Sequence, residues 1–218
     1  MTGWEVRRAE IPGISRRGFV SPAGMPPETM RAKVCLVGEP EVGKSSLVRR
    51  FVYDQFDSRY QPTLGAKVSK KEIDLRVGDQ PIHAILTIWD IMGEPSFREL
   101  LREAYFSNLQ GILAVGDLTR SATIRATADW IDAACRVSGS VPIVVLGAKA
   151  DLTAEPDASG LILEIAERFG APSWSTSART GENVELAFFA VADRIARNGL
   201  LERAAASDQK RESPERTP

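Results

Sequence analysis

Short apolar runs alternate with segments in which apolar residues return every third or fourth position. Val34-Cys35-Leu36-Val37, Ile112-Leu113-Ala114-Val115 and Ile143-Val144-Val145-Leu146 are continuous apolar runs, the pattern of strands buried on both faces. Phe97, Leu100, Leu101 and Ala104 follow helical spacing, as do Ile162, Ile165, Ala166 and Phe169 before Gly170. Ile124, Ala128, Ile131 and Cys135 predict another helix, closed by Ser138-Gly139, and Val184, Ala187, Phe188, Val191 and Ile195 a last one. Between Lys67 and Trp89, two strand-like segments flank Val77-Gly78-Asp79-Gln80, a hairpin signal. The pattern predicts an α/β fold: a mainly parallel sheet with one antiparallel edge strand and helices on both faces. Residues 1–31, with four prolines and no periodicity, are expected to form a partly disordered extension. Residues 32–198 are expected to form the domain and 199–218 a flexible tail.

Composition narrows the function classes. The chain has 218 residues, 43% hydrophobic and 26% charged, and a net charge of −1. That size and balance suit one globular domain plus a tail, and the charge leaves no basic footprint for a nucleic acid. There is no run of ~18 apolar residues for a membrane span and no apolar segment near the N-terminus for a secretory signal. Cys35 and Cys135 sit in apolar elements and read as buried thiols in a reducing compartment. The expectation is a monomeric cytoplasmic protein.

Gly38-Glu39-Pro40-Glu41-Val42-Gly43-Lys44-Ser45 is a GxxxxGK[ST] loop placed after a buried strand and before the amphipathic stretch Ser46–Val52. That layout aims backbone N–H groups from Gly38, Glu41, Val42, Gly43 and Ser46 at a phosphate. Lys44 would neutralise β/γ charge and the Ser45 hydroxyl would ligate Mg²⁺. Lys149-Ala150-Asp151 follows the strand that ends near Leu146. A carboxylate there can accept from both N1–H and the exocyclic amine of guanine, a donor pair adenine lacks. Glu39 and Glu41 are expected to point into solvent.

With Trp89-Asp90-Ile91-Met92-Gly93-Glu94, Thr63 in Tyr60–Gly65, and Ser177-Ala178-Arg179 before the last helix, the chain resembles the Ras superfamily of small GTPases, most closely its Rab branch. Phe51–Phe56, Asp117–Arg120 and Ser177–Val184 strengthen the likeness. The resemblance implies a six-stranded sheet and a GTP/GDP cycle in which loops around 55–66 and 90–106 order on the γ-phosphate. By the same likeness Thr63 and Asp90 join Ser45 at Mg²⁺, and the Gly93 N–H meets the γ-phosphate. Phe56 packs on the edge of the base, Lys149 joins the nucleotide-binding residues, Asp151 reads the base, and the Ser177-Ala178-Arg179 loop contacts its carbonyl oxygen. Lys44, Thr63 and Glu94 are the residues expected at the reacting phosphate. Effectors, exchange factors and GTPase-activating proteins are the implied partners.

Departures from the pattern qualify the expectation. Ala148 replaces the usual Asn of the guanine motif, and Glu94 replaces a water-orienting Gln with a group that only accepts and adds charge. Neither end carries a lipidation signal, which suggests a prokaryotic or otherwise unprenylated relative reaching membranes only through a partner. The sequence thus supports a slow GTPase switch, with a nucleotide-dependent interaction module lacking useful hydrolysis as the alternative.

Overall fold

The computed structural model describes residues 26–59, 62–93 and 102–212. Six strands run β1 Glu28–Val37, β2 Ala66–Val77, β3 Gln80–Ile91, β4 Gly111–Asp117, β5 Ile143–Ala148 and β6 Ser173–Thr176. Helices are α1 Lys44–Tyr53, α2 Arg102–Phe106, α3 Ser121–Ser138, α4 Ala158–Arg168 and α5 Val184–Glu212. The sheet order is β2-β3-β1-β4-β5-β6. Only the β2–β3 pair is antiparallel, joined through Val77↔Gln80, where Gly78 takes a φ of 60°. The predicted architecture and its edge hairpin are present.

Alternation along each strand sends neighbouring side chains to opposite faces. Val34 and Leu36 join Leu47, Phe51 and Phe188 beneath α1 and α5, while Cys35 and Val37 join Ile124, Trp130 and Ile162 beneath α3 and α4. On the first face, the Phe51 and Phe188 rings stack with centroids 4.0 Å apart, which locks α1 onto α5. Both thiols are free, and burial pushes that of Cys35 up to about 12. The chain order reverses across β1: its pairing partners are β3 on one side and β4 on the other. Such a switch point opens a crevice at the carboxyl ends of the strands, and the loop that follows β1 lies in it.

Two expected boundaries change. Strand β1 begins at Glu28, inside the segment expected to lie outside the core, because Glu28–Arg31 continue the parallel ladder against Ile82–Ile85. Exposed Thr29 and Arg31 alternate with half-buried Glu28 and Met30, a pattern that a search for continuous apolar runs passes over. Helix α5 likewise runs on to Glu212 rather than fraying at 199. Leu200–Ala206 is rich in strong helix formers with no breaker, and Arg203 pairs with Glu28. Residues 1–25 and 213–218 lie outside the described residues, as does most of the helix expected from Phe97.

Candidate functional site

The loop after β1 is shaped by what cannot fit in it. Gly38 has a φ of 140°, and a Cβ there would stand 2.1 Å from the Val115 carbonyl oxygen. Only glycine allows that approach. Gly43, at 102°, turns the chain into α1, which has no side-chain cap. Its first N–H groups are therefore left for an external acceptor. Lys44 is only 6% exposed, and its Nζ donates to the carbonyls of Gly38 at 2.7 Å and Glu39 at 2.8 Å. Burial brings its pKa down to about 8, with Asp90 and Glu39 opposing the shift. Glu41 is exposed with a φ of 63°. Glu39 departs from expectation: its carboxylate turns inward and accepts from the Trp130 indole N–H at 3.0 Å.

Beside the loop, the Ser45 and Thr63 hydroxyl oxygens are 3.0 Å apart. Asp90 is 2% exposed with one carboxylate oxygen lacking any partner. Burial raises its pKa, against the pull of Ser45 and Lys44. An orphaned buried oxygen next to two hydroxyls is a set of hard donors that fits Mg²⁺, which takes few protein ligands and keeps waters and phosphate oxygens. Gly93 lies against the same loop: a Cβ there would meet Glu39 C at 2.5 Å and Gly38 O at 2.6 Å. Glu94, expected at the reacting phosphate, lies outside the described residues.

At the far end, Lys149 takes a left-handed φ of 65° and its Nζ sits 2.7 Å from Asp117 Oδ2. The side chain of Asp151 is 15% exposed; its Oδ1 accepts from Ser177 Oγ at 2.6 Å, with Arg179 4.0 Å from Oδ2. A cavity of about 500 Å³ joins the two ends. Its wall includes Glu41, Gly43, Lys44, Ser45 and Ser46 on the loop side, Phe56, Thr63 and Gly93 above, and Lys149, Asp151, Ala178 and Arg179 at the far end. Gly38, Val42 and Ser177 stand behind that wall, and Asp90 faces an adjoining hollow of about 260 Å³ shared with Ser45 and Thr63. The cavity and its adjoining hollow thus bring the described residues predicted for the site into one neighbourhood.

Sequence reasoning missed the residues that hold these loops. Arg50, one helical turn and a half past Lys44, donates from Nε to Ala178 O and from Nη2 to Arg179 O, both at 2.7 Å. Arg120 bonds the Pro40 carbonyl at 3.1 Å. Arg50 lies outside every motif and Arg120 ends the Asp117–Arg120 phrase, but neither contact is legible locally, since each spans a large sequence separation. The Asp117-Leu118-Thr119 segment does carry a local signal: Asp117 Oδ1 accepts from the Thr119 N–H, an Asx turn.

A glycine-built loop at an uncapped helix start, set at the switch point of a parallel sheet, defines a P-loop protein of the nucleotide-binding α/β class. Comparison with known proteins narrows that class. The Ras family profile matches residues 33–197, and the chain belongs to the Ras family. It is similar to human Ras-related protein Rab-36, 35% identical over 170 residues, covering 74% of this chain and 60% of the relative. Rab-21 of Geodia cydonium is 35% identical over 173 residues, covering 77% and 72%. The GTP-binding protein ypt5 of Schizosaccharomyces pombe is 33% identical over 181, covering 81% and 83%. Within its family the chain is a Rab-like small GTPase, and it spans about 60% of the length of Rab-36.

The Arg50 clamp yields a direct expectation. Arg50→Ala leaves the Ala178 and Arg179 carbonyls without their guanidinium donor, a loss of about 1–3 kcal/mol. Urea unfolding should show that loss, and amide exchange across Ser177–Gly181 should quicken. Unchanged exchange there would mean the loop holds itself.

Proposed function

We propose that the protein is a guanine-nucleotide switch that hydrolyses GTP to GDP and phosphate with a slow intrinsic rate. The observation that carries this reading is the single cavity with Lys44 and an uncapped helix start at one end and Asp151 at the other. Asp151 accepts from guanine N1–H and the exocyclic amine, and Ser177, donating to its other face, holds the carboxylate in register. Backbone N–H groups of Ala178 and Arg179 meet the base oxygen, while Phe56 and Lys149 cover the ring. Gly38, Glu41, Val42, Gly43 and Ser46 present backbone to the phosphates, and Lys44 exchanges its two carbonyl partners for phosphate oxygens. Ser45, Thr63 and, through water, Asp90 would hold Mg²⁺, which supplies charge neutralisation at the β- and γ-phosphates when bound.

Hydrolysis forms a bond from water oxygen to the γ-phosphorus and breaks the bond to the β–γ bridging oxygen, leaving GDP. In the sequence motif, Glu94 replaces a Gln that would orient that water. An ionised carboxylate cannot donate to the equatorial oxygens, and its charge opposes the polyanion. Thr63 and Gly93 link the loops around 55–66 and 90–106 to the γ-phosphate, so effectors, exchange factors and GTPase-activating proteins are the partners of those loops. The site of action is the cytoplasm, with membranes met through a partner. Among the described residues no helix is long and apolar enough to cross a membrane. Ala148 supports a second reading, a nucleotide-dependent interaction module with little hydrolysis: it offers a buried methyl between the two ends of the cavity.

Competition against a fluorescent GDP analogue tests the base assignment. GTP should displace it ahead of ATP and XTP, and Asp151→Asn should turn the preference toward XTP. Equal displacement by ATP and GTP would remove guanine from the account.

Glu94→Gln separates the two readings. It restores a donor and removes a charge at little change in volume. Single-turnover hydrolysis should accelerate by about one to two orders of magnitude, or ~1.4–2.8 kcal/mol of barrier. A slower variant would make Glu94 a general base, and no hydrolysis in either protein would favour the interaction module.

A further inference from the structure

The two ends of the cavity come from segments far apart in the chain, and something must keep them in register for one ligand to span them. Ala148 stands between them, and its Cβ is 3.9 Å from where a Cβ on Gly43 would be. A methyl there bonds to neither side. A polar route nevertheless connects the P-loop to the base-side loop. Arg120, the residue before α3, donates from Nη2 to Pro40 O at 3.1 Å and from Nε to Asp117 Oδ2 at 3.0 Å. The same Oδ2 lies 2.7 Å from Lys149 Nζ, two residues before Asp151. A parallel contact, Trp130 Nε1 to Glu39 Oε1 at 3.0 Å, ties the neighbouring residue of the P-loop to α3.

Asp117 is the pivot. It is 0% exposed, and its other oxygen accepts from the Thr119 N–H at 2.9 Å and hydroxyl at 2.8 Å. Burial alone would raise its pKa, yet the bonds from Lys149 and Thr119 outweigh that and leave the carboxyl below its usual range. A buried carboxylate with two cationic partners resists movement of either, since displacing one leaves buried charge less compensated. Arg120 suits the task through its forked guanidinium, which reaches carboxylate and carbonyl at once. At the P-loop end, Pro40 has a ring-fixed φ, so its carbonyl holds a restricted direction.

We propose that Asp117, clamped between Arg120 and Lys149, couples the P-loop to the guanine-side loop, with Arg120 and Trp130 as positioning residues for bound nucleotide. The inference rests on the guanine-nucleotide reading above. It assigns to β4 and α3 the bracing between phosphate and base that Ala148 does not supply. Nucleotide release is then set in part by residues that touch no nucleotide atom.

Release of a fluorescent GDP analogue from the full chain in Mg²⁺, followed by chasing with excess GDP, tests this. Arg120→Met should release about tenfold faster than the unaltered protein, the loss of a charge-assisted bond. Arg120→Lys, which keeps the charge but not the fork, should fall between them. Adding Ala148→Asn to Arg120→Met places an amide between the two loops and should restore slow release, which a purely structural loss would not allow. Trp130→Phe removes the indole N–H and should speed release about threefold, a second readout if Arg120→Met does not fold. Wild-type rates in the folded variants, or failure of Ala148→Asn to rescue, overturn the coupling while leaving the nucleotide reading intact. No GDP binding by the unaltered protein overturns both.

Discussion

Taking an ammonium group out of water costs several kcal/mol unless its partners restore the loss, and Lys44 is buried with two carbonyl oxygens as its hydrogen-bond partners. Carbonyl dipoles hold a cation more weakly than an anion does, so burial outweighs the nearby Asp90 and Glu39 carboxylates and the pKa falls. The surroundings follow from that cation. Gly38 and Gly93 approach where no side chain fits, which lets backbone rather than side chains form the walls. Helix α1 begins without a cap, leaving N–H groups that also call for negative charge. A polyphosphate answers both demands at once.

The other end of the cavity is built on the opposite sign. Asp151 presents a carboxylate held by Ser177, and basic side chains anchor the loops around it. Arg50 reaches from α1 to the Ala178 and Arg179 carbonyls, and Lys149 is drawn to Asp117. Each anchor runs between segments rather than within one. The sheet supplies a rigid floor, and this set of charged contacts determines how its loops stand relative to one another.

That division explains what could be read from sequence. Strands such as Val34–Val37 and Ile143–Leu146 are buried on both faces, so their apolar runs are unbroken. Helix stops at Gly139 and Gly170 were equally legible because both glycines take left-handed φ values of 75° and 57°. The P-loop is contiguous, so its whole chemistry lies in one stretch of text. Glu28–Arg31 are hard to read because three of the four residues are polar, and the run of α5 past Gly199 because its exposed turns rest on helix propensity and the Arg203–Glu28 pair rather than on an apolar stripe. The expectation of a solvent-facing Glu39 fails for a different reason: its partner, Trp130, lies on α3, and nothing local reveals a contact of that span.

On the proposed function, bound phosphate stabilises the fold through Lys44, and a thermal-unfolding series with GDP and Mg²⁺ tests this most directly. A ligand that binds only the folded state raises the melting temperature as its concentration rises. The unaltered protein should melt progressively higher as GDP is added, while Lys44→Met, which fills the same space without charge, should show no dependence on GDP over the same range. An equal GDP-dependent rise in Lys44→Met would contradict the account, because the buried cation would then have no part in holding the nucleotide.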